Sequence, residues 1–519
     1  NKLTGFISDH VGRTDDSSIK TIKVKGSAEL EITGPSSLQT FDASAYTGNK
    51  LTANLTANYS VQNIKGSAQD DVFNVTGIDG NTAIIPVDGG AGRDTVNLQN
   101  VIYGNKHVEM TGVEELNIKQ DSSANAATLD FSRAQEIDTL GVRGDAGQNP
   151  YVKAINSKLK TLNVDVNTTI TNWTRLEVTN TPNFENLNIK NSISTTLKAN
   201  GSTKINVNVD TENRITDVGI DSTTIKELNY NVEKADNAST VGIAMFIHNA
   251  GTLEKVNIVN KTTKKFIHGL TTADTSNLKI LNIETKGDYT ASAPIKGLSL
   301  INLKGTGENT NVTLAQVGTI TDGRYPLQGT QDITLNAQNL KDLSVAASSK
   351  IITTRNVSLT STTDKEGATV TYGQIGDSAT AKANDVSINA TGQKTLTTGN
   401  IYANGDVNLT THFTQEGSSA AFGASSGAIN ARNLTINHST NSDITDGNVT
   451  LRGAVAISGS LNANISDYKS LDLDTSVSSI TVGGAVNLNT TATRTGSEAK
   501  FESITGATNG INITASALN

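Results

Sequence analysis

Along much of the chain an apolar residue is followed by a polar one and then by another apolar one. Examples are Leu162-Asn163-Val164, Leu187-Asn188-Ile189, Val256-Asn257-Ile258, Leu281-Asn282-Ile283 and Ile301-Asn302-Leu303. Val357-Ser358-Leu359, Val386-Ser387-Ile388, Val407-Asn408-Leu409, Leu434-Thr435-Ile436, Leu471-Asp472-Leu473 and Val486-Asn487-Leu488 continue it. Residues i and i+2 of a strand share a face, so each triplet offers two side chains to a core and one to solvent. The units recur at intervals from 15 residues (471 to 486) to 25 (162 to 187) and beyond. Such recurrence marks a solenoid, whose rungs bury little alone and need their neighbours. The expectation is an all-β, elongated β-solenoid resembling a parallel β-helix. The alternative is a string of β-sandwich domains with turns every 8 to 12 residues. Asn between the apolar positions suits a polar ladder stacked along the coils.

The same alternation predicts strands over Ile19–Val24, Leu30–Ile32 and Val72–Val75, a turn and a strand over Thr111–Ile118, and another rung opening at Leu129–Ser132. One helix is predicted, from Ser222 to Ala235, with Ile225, Leu228 and Val232 on one face. Gly, Asp and Pro cluster at 310–331 and predict a boundary or long loop. The resulting division is an N-terminal β region over 1–150, a solenoid over 151–325 and a C-terminal solenoid or β-rich domain over 326–519.

Chemistry concentrates in one stretch. Gly89-Gly90-Ala91-Gly92-Arg93-Asp94-Thr95-Val96-Asn97 fits the nonapeptide G-G-x-G-x-D-x-U-x, where U is a large apolar residue. Its glycines permit tight turns whose carbonyls point inward, Asp94 supplies a hard carboxylate, and Val96 points the other way, into a hydrophobic stack. Calcium takes six to eight oxygen ligands in irregular geometry, which suits that donor set. A degenerate copy, Gly66-Ser67-Ala68-Gln69-Asp70-Asp71-Val72-Phe73-Asn74, starts 23 residues earlier. One turn supplies half of a site, so the pairing of the two copies is the hypothesis. The candidate Ca2+ ligands are Gly66, Asp70, Asp71, Asp88, Gly89, Gly90, Gly92 and Asp94. Loop 77–86 would return the chain between the copies. Thr14-Asp15-Asp16 and Asp443–Asp446 are further acidic turns.

The order of segments, "FDASAYTG", "GSAQDDVFNVTG", "VDGGAGRDTVNL" and "TGVEELNI", resembles the repeat unit of RTX-type bacterial S-layer proteins, the calcium-dependent surface arrays of Caulobacter and Campylobacter. It is also similar to RTX-containing surface adhesins. The resemblance covers roughly residues 40–120. It implies type I export, calcium-dependent folding outside the cell and lattice assembly on lipopolysaccharide. This sequence departs from the family pattern in having one perfect nonapeptide rather than a tandem array. The start at Asn1 reads as a processed or internal piece, and the end does not resemble an uncleaved export signal.

Composition narrows the remaining classes. The chain has no cysteine, so disulfides do not staple it. With a net charge of −8 and dispersed basic residues, it lacks the clustered cations that phosphate binding requires, which argues against a nucleic-acid partner. No apolar run approaches the ~20 residues of a membrane-spanning helix. The six histidines are widely separated and no HExxH spacing occurs. Gly423-Ala424-Ser425-Ser426-Gly427 matches a nucleophile elbow, but its Ser-, Gly- and Ala-rich flanks read as a loop. No catalytic carboxylate pair is visible. The reading is therefore a non-enzymatic, extracellular structural subunit of a bacterial surface layer, assembling with copies of itself on lipopolysaccharide or another surface glycan. The alternative is a calcium-stabilised RTX-type adhesin or carbohydrate-binding solenoid.

Overall fold

The structure is a computed structural model. It describes residues 2–6, 19–56, 63–76, 84–120, 126–145, 149–166, 173–179, 181–192, 194–211, 217–235, 243–270, 277–291, 295, 297–315, 317–318, 331–377, 381–441, 444, 447–466, 470–473, 480–492, 498–501 and 503–517. The acidic turns at Thr14–Asp16 and at Asp443 and Asp446, most of the 77–86 loop and the 319–330 part of the predicted boundary lie outside these residues. The chain forms two compact units, Asn1–Ala250 and Gly251–Asn519.

Within the first unit the triplets become the strands of one parallel sheet. Leu51–Thr56, Asp71–Thr76, Thr95–Val101, Glu115–Lys119, Thr139–Gly144, Thr161–Val166, Asn186–Asn191, Lys204–Thr211 and Glu227–Ala235 succeed one another, each hydrogen-bonded to the next. A second parallel sheet runs from Gly104–His107 through Ala127–Asp130, Tyr151–Ile155, Trp173–Thr179, Ser194–Asn200 and Asp217–Asp221 to Ile243–His248. A small third sheet, from Thr21–Gly26 to Met110–Thr111, feeds the corners of the early rungs. Strands consecutive in one sheet are not consecutive in sequence, because each coil visits another face before returning. That is a β-solenoid, and its parallel pairing displaces the sandwich alternative, whose sheets are antiparallel.

The register explains the triplets. Leu162, Leu187 and Val207 align in one column, and Val164, Ile189 and Val209 in the next. All six are at most 1% exposed. At roughly 25 cal/mol per Å2 of apolar surface removed from water, such columns supply the main stabilisation of each rung. The polar residue between the columns forms the ladder expected from the sequence. Asn188 Nδ2 donates to Asn163 Oδ1 at 2.9 Å, Asn208 to Asn188 at 2.9 Å and Asn231 to Asn208 at 3.0 Å.

The second unit repeats this plan from Lys255–Asn260 through Ile280–Thr285, Leu300–Gly305 and Ile333–Gln338 to Ile511–Ala517. Its amide ladder runs from Asn336 to Asn302 to Asn282 to Asn257, with spacings of 2.9, 2.8 and 2.7 Å. Val317–Gly318, at the margin of the predicted boundary, forms a short strand against Asp342–Ile352.

No described residue is helical, and the helix predicted at Ser222–Ala235 is corrected to a turn followed by the strand Glu227–Ala235. Leu228, Tyr230 and Val232 alternate into the core with a period of two, while Asn229 and Asn231 join amide ladders. Their spacing of i and i+4 fits both a helix face and a strand face, and only the neighbouring rungs decide. The Gly423–Gly427 segment is a turn between Ser418–Phe422 and Ala428–Ala431, with Ser425 exposed and no helix after it.

Two predictions follow from this packing. Asn282→Ala removes one ladder bond given and one received. At about 0.5–1.5 kcal/mol each, local stability should fall by ~1–3 kcal/mol. Slow hydrogen exchange of the amides in Ile280–Thr285 reports that loss, and unchanged protection would show the ladder to be energetically idle. The second concerns His438, 3% exposed, whose Nδ1 meets Thr411 Oγ1 at 2.7 Å and whose ring lies edge-on to Phe413. Burial first, and His412 beside it second, push its pKa down to about 4. A histidine depressed in the fold costs stability as pH falls from its unfolded value near 6.5 toward 4, by up to ~3 kcal/mol. Denaturant unfolding at pH 7 and pH 4.5 should show a smaller acid penalty for His438→Gln than for wild type.

Candidate metal centre

The two nonapeptide copies become stacked corners of successive coils, each leading into a strand of the main sheet. Gly66, Gly89 and a third glycine, Gly112, follow at 23-residue intervals. The Gly66 N–H donates to the Asp88 carbonyl at 2.7 Å and the Gly89 N–H to the Thr111 carbonyl at 2.8 Å, locking corner to corner. This contact explains the glycines. A Cβ on Gly89 would lie 2.0 Å from the Gly112 carbonyl oxygen. On Gly90, which also has a φ of +100°, it would lie 1.8 Å from that of Ser67. An L side chain fits neither place.

The aspartates close the corners. Asp71 Oδ2 accepts the Ser67 N–H at 2.6 Å, and its Oδ1 accepts the Ser67 hydroxyl at 3.1 Å. Asp94 Oδ1 accepts the Asp71 N–H at 2.7 Å, one coil back. The Asp94 N–H donates in turn to Glu114 Oε2 at 2.7 Å. A column of carboxylates, Asp71, Asp94 and Glu114, thus satisfies the backbone donors that open the strands. Asp70 sits at the outer side of the first corner and accepts the Arg93 N–H at 2.9 Å. Asp88 is exposed on the short strand before the second corner, where Thr111 Oγ1 approaches it at 3.4 Å.

Glu114 is the member that sequence reading missed. Its corner is three residues shorter than that of Gly89, so the nonapeptide pattern fails there. The usable signal is its register: Glu115 pairs with Thr95 and Leu116 with Val96, which places Glu114 beside Asp94.

Electrostatically the column is unbalanced. Asp71 and Asp94 have no exposed surface. Asp94 Oδ2 is buried and has no hydrogen-bond partner. Burial above all, then the nearby charges of Asp71, Glu114 and Asp70, push the Asp94 carboxyl up to about 7 against the pull of the Asp71 N–H. Burial raises the Asp71 carboxyl as well, with Asp70 adding to it. The neighbouring guanidinium does not compensate, because Arg93 pairs with Asp138 at 3.0 Å.

The donor set fits a hard cation: carboxylate oxygens of Asp71 and Asp94, one of them unsatisfied, beside the carbonyls of Gly89 and Gly112 that crowd the same glycines. Carboxylates alone do not assemble such a centre. Among the described residues no group of three or more His, Cys, Asp or Glu side chains converges on one point, so a cation held here would need backbone oxygens to complete its shell.

Comparison of the chain with protein-family models, with curated proteins and with solved structures finds no match in any of the three.

The stacking makes a graded prediction. Gly90→Ala combines left-handed strain with an unavoidable carbonyl contact and should cost about 3–5 kcal/mol. Gly104→Ala, also left-handed at +70° but with nothing within 4 Å of the new Cβ, should cost only ~1–2 kcal/mol. Thermal or urea unfolding of the two variants ranks them, and equal losses would mean that the corners are not packed as described.

Proposed function

We propose that the chain is a structural subunit of a bacterial surface layer whose fold is completed by extracellular Ca2+. The observation that carries this is the buried, unpartnered Asp94 oxygen within a column of carboxylates. A buried charge of that kind is neutralised by a proton or a cation, or else it destabilises the fold. Calcium supplies positive charge and accepts the remaining oxygen donors. The residues to hold it are Asp71 and Asp94, with carbonyls of the Gly66, Gly89, Gly90 and Gly92 corners and with Asp70 at the rim. Asp88, on the strand entering the second corner, belongs to the same candidate set.

The rest of the chain supports a scaffold. Stacked parallel rungs and the weakness of catalytic signatures in the sequence suit a protein whose task is to span and to assemble. Export by a type I system in low calcium, followed by folding outside the cell, would couple metal binding to folding. Copies of the chain would then meet along their polar faces, anchored on lipopolysaccharide or another surface glycan. A second reading, a calcium-stabilised adhesin without a lattice, draws on a groove of about 540 Å3 on the main sheet of the first unit, lined by Asn and charged side chains including Asn117, Asn163, Arg143 and Asp165.

Calcium titration of the metal-depleted chain, followed by circular dichroism and particle size together, tests the proposal. A free calcium concentration of 100 Kd should stabilise the fold by ~2.7 kcal/mol, with growth into sheets. Asp94→Asn keeps an oxygen for the Asp71 N–H and removes the buried charge. It should be more stable than wild type without calcium and should gain less with it. Stabilisation without growth would favour the adhesin over the lattice. No response of the wild type to calcium would overturn the metal centre.

A further inference from the structure

On the main sheet of the second unit an imidazole interrupts a column of hydroxyls. Thr362, Thr391, His412 and Ser439 are paired in register on successive coils. Each alternates with buried neighbours and so stands on the outer face. His412 Nδ1 meets Ser439 Oγ at 2.8 Å, and its Nε2 meets Asn441 Oδ1 at 3.0 Å. A carboxamide oxygen only accepts, so Nε2 carries the ring proton and Nδ1 offers its lone pair to the Ser439 hydroxyl. Two adjacent coils thus line up a hydroxyl, an imidazole and a carboxamide, in the order of a nucleophile, its base and the group that orients the base. Asn441 is held by its own backbone. Its N–H donates to the Phe413 carbonyl at 2.9 Å, and its carbonyl accepts the Ile444 N–H at 3.1 Å.

A fourth group faces the same place. Asn489 donates to Asn464 at 2.9 Å, and Asn464 to Asn437 Oδ1 at 3.0 Å. The next coil in that column carries Thr410 instead of Asn, so the ladder stops there. Among the described residues no hydrogen bond engages Asn437 Nδ2, the branch of the carboxamide turned away from Asn464 and toward the coil of Thr410 and His412. Asn437 lies two residues before Ser439 on the same strand face, roughly 7 Å away. His412, Ser439 and Asn437 line one groove of about 370 Å3, with Thr410 and Ser466 beside them. None of its described lining residues is Asp, Glu, Lys or Arg.

We propose that Ser439 is a nucleophile toward small uncharged carboxylic esters, with His412 as its base, Asn441 as the residue that positions the base, and Asn437 as the donor to the oxyanion. Ser439 Oγ bonds to the ester carbonyl carbon while its proton passes to His412 Nδ1. The carbonyl oxygen takes the negative charge and accepts from Asn437 Nδ2. The bond to the alkoxy oxygen then breaks, and the alcohol leaves with the proton from Nδ1. Water completes the cycle: it gives a proton to Nδ1, its oxygen bonds to the acyl carbon, and the carboxylic acid departs as Ser439 recovers its proton. The groove selects the substrate class. It offers no fixed charge to an anionic or cationic ester, whereas its hydroxyls and amides hydrogen-bond an uncharged polar one. The activity goes beyond the scaffold reading and rests on neither calcium nor lattice formation.

The test uses the full chain at one fixed calcium concentration and two probes. An alkyl fluorophosphonate reports the nucleophile by intact mass and peptide mapping, and p-nitrophenyl acetate reports turnover. Wild type should take up a single phosphonyl group, mapped to Ser439, and should release p-nitrophenol. Ser439→Ala should lose both reactions. His412→Gln should slow both by about 10²–10⁴-fold, the usual contribution of a positioned base. Asn437→Ala should slow ester turnover by about 10²–10³-fold, the usual contribution of one oxyanion donor. Asn441→Ala should slow labelling, and Asn441→Asp, which keeps an acceptor oxygen for Nε2, should restore it. All four side chains lie on the outer face, so the variants should melt with wild type. The proposal is overturned if wild type is not labelled at Ser439, if other hydroxyls are labelled as fast, or if His412→Gln reacts as fast as wild type. Because calcium is constant and particle size is not read, failure here leaves the calcium titration untouched, and the converse holds as well.

Discussion

Everything in this molecule depends on one contact, the in-register hydrogen bonding of each rung to the next. A single coil presents two apolar side chains per strand and has no core of its own. Stacking in parallel and in register along the triplets puts apolar on apolar, and it forces the residue between them onto its own counterpart one coil away. Asn tolerates that enforced meeting best, because its amide donates upward and accepts downward. A one-residue slip would turn every core side chain outward, so the apolar columns and the amide ladder specify the same register from opposite faces of one sheet.

The same constraint creates the tension at the glycine corners. Stacking places like on like, and for aspartate that means carboxylates on neighbouring coils. Two such charges about 5 Å apart repel by ~3 kcal/mol at an effective dielectric constant of 20. Asp94 and Glu114 recover part of this by capping backbone N–H groups of the preceding corner, and Asp71 by capping Ser67 within its own. The caps use Asp94 Oδ1 and leave Oδ2 with nothing. A neutral amide would cap as well without the charge. The preference for Asp over Asn there, in a chain that uses Asn freely elsewhere, is physically costly unless something positive joins the corner.

Much of this was legible in the sequence, for a simple reason: a solenoid writes its contacts into local spacing. Leu187-Asn188-Ile189 states both its core face and its ladder position, and the Gly66 and Gly89 corners announce their stacking by their interval. What stayed hidden depends on register between distant segments. The Ser222–Ala235 stretch carries Leu228 and Val232 at a spacing that serves helix or strand, and Asn229 and Asn231 acquire meaning only when Asn206 and Asn208 are placed beneath them. Glu114 was invisible as a corner carboxylate because its turn is shortened and its longer side chain makes up the reach.

Regularity also changes what counts as a functional signal. In an ordinary globular domain a glycine in mid-strand invites a backbone explanation, such as a bulge or a close approach. Gly141 keeps an unshifted pairing with both neighbours, and what crowds its missing Cβ is one side chain, Asn117, with Oδ1 at 1.7 Å and Cγ at 2.8 Å. The Asn117 carboxamide takes the space that a side chain at residue 141 would need, so the ladder bends into the rung that lacks its amide. When a repeat omits a side chain at one rung, the neighbouring rung's side chain is the first place to look for the reason, and here Asn117 occupies it.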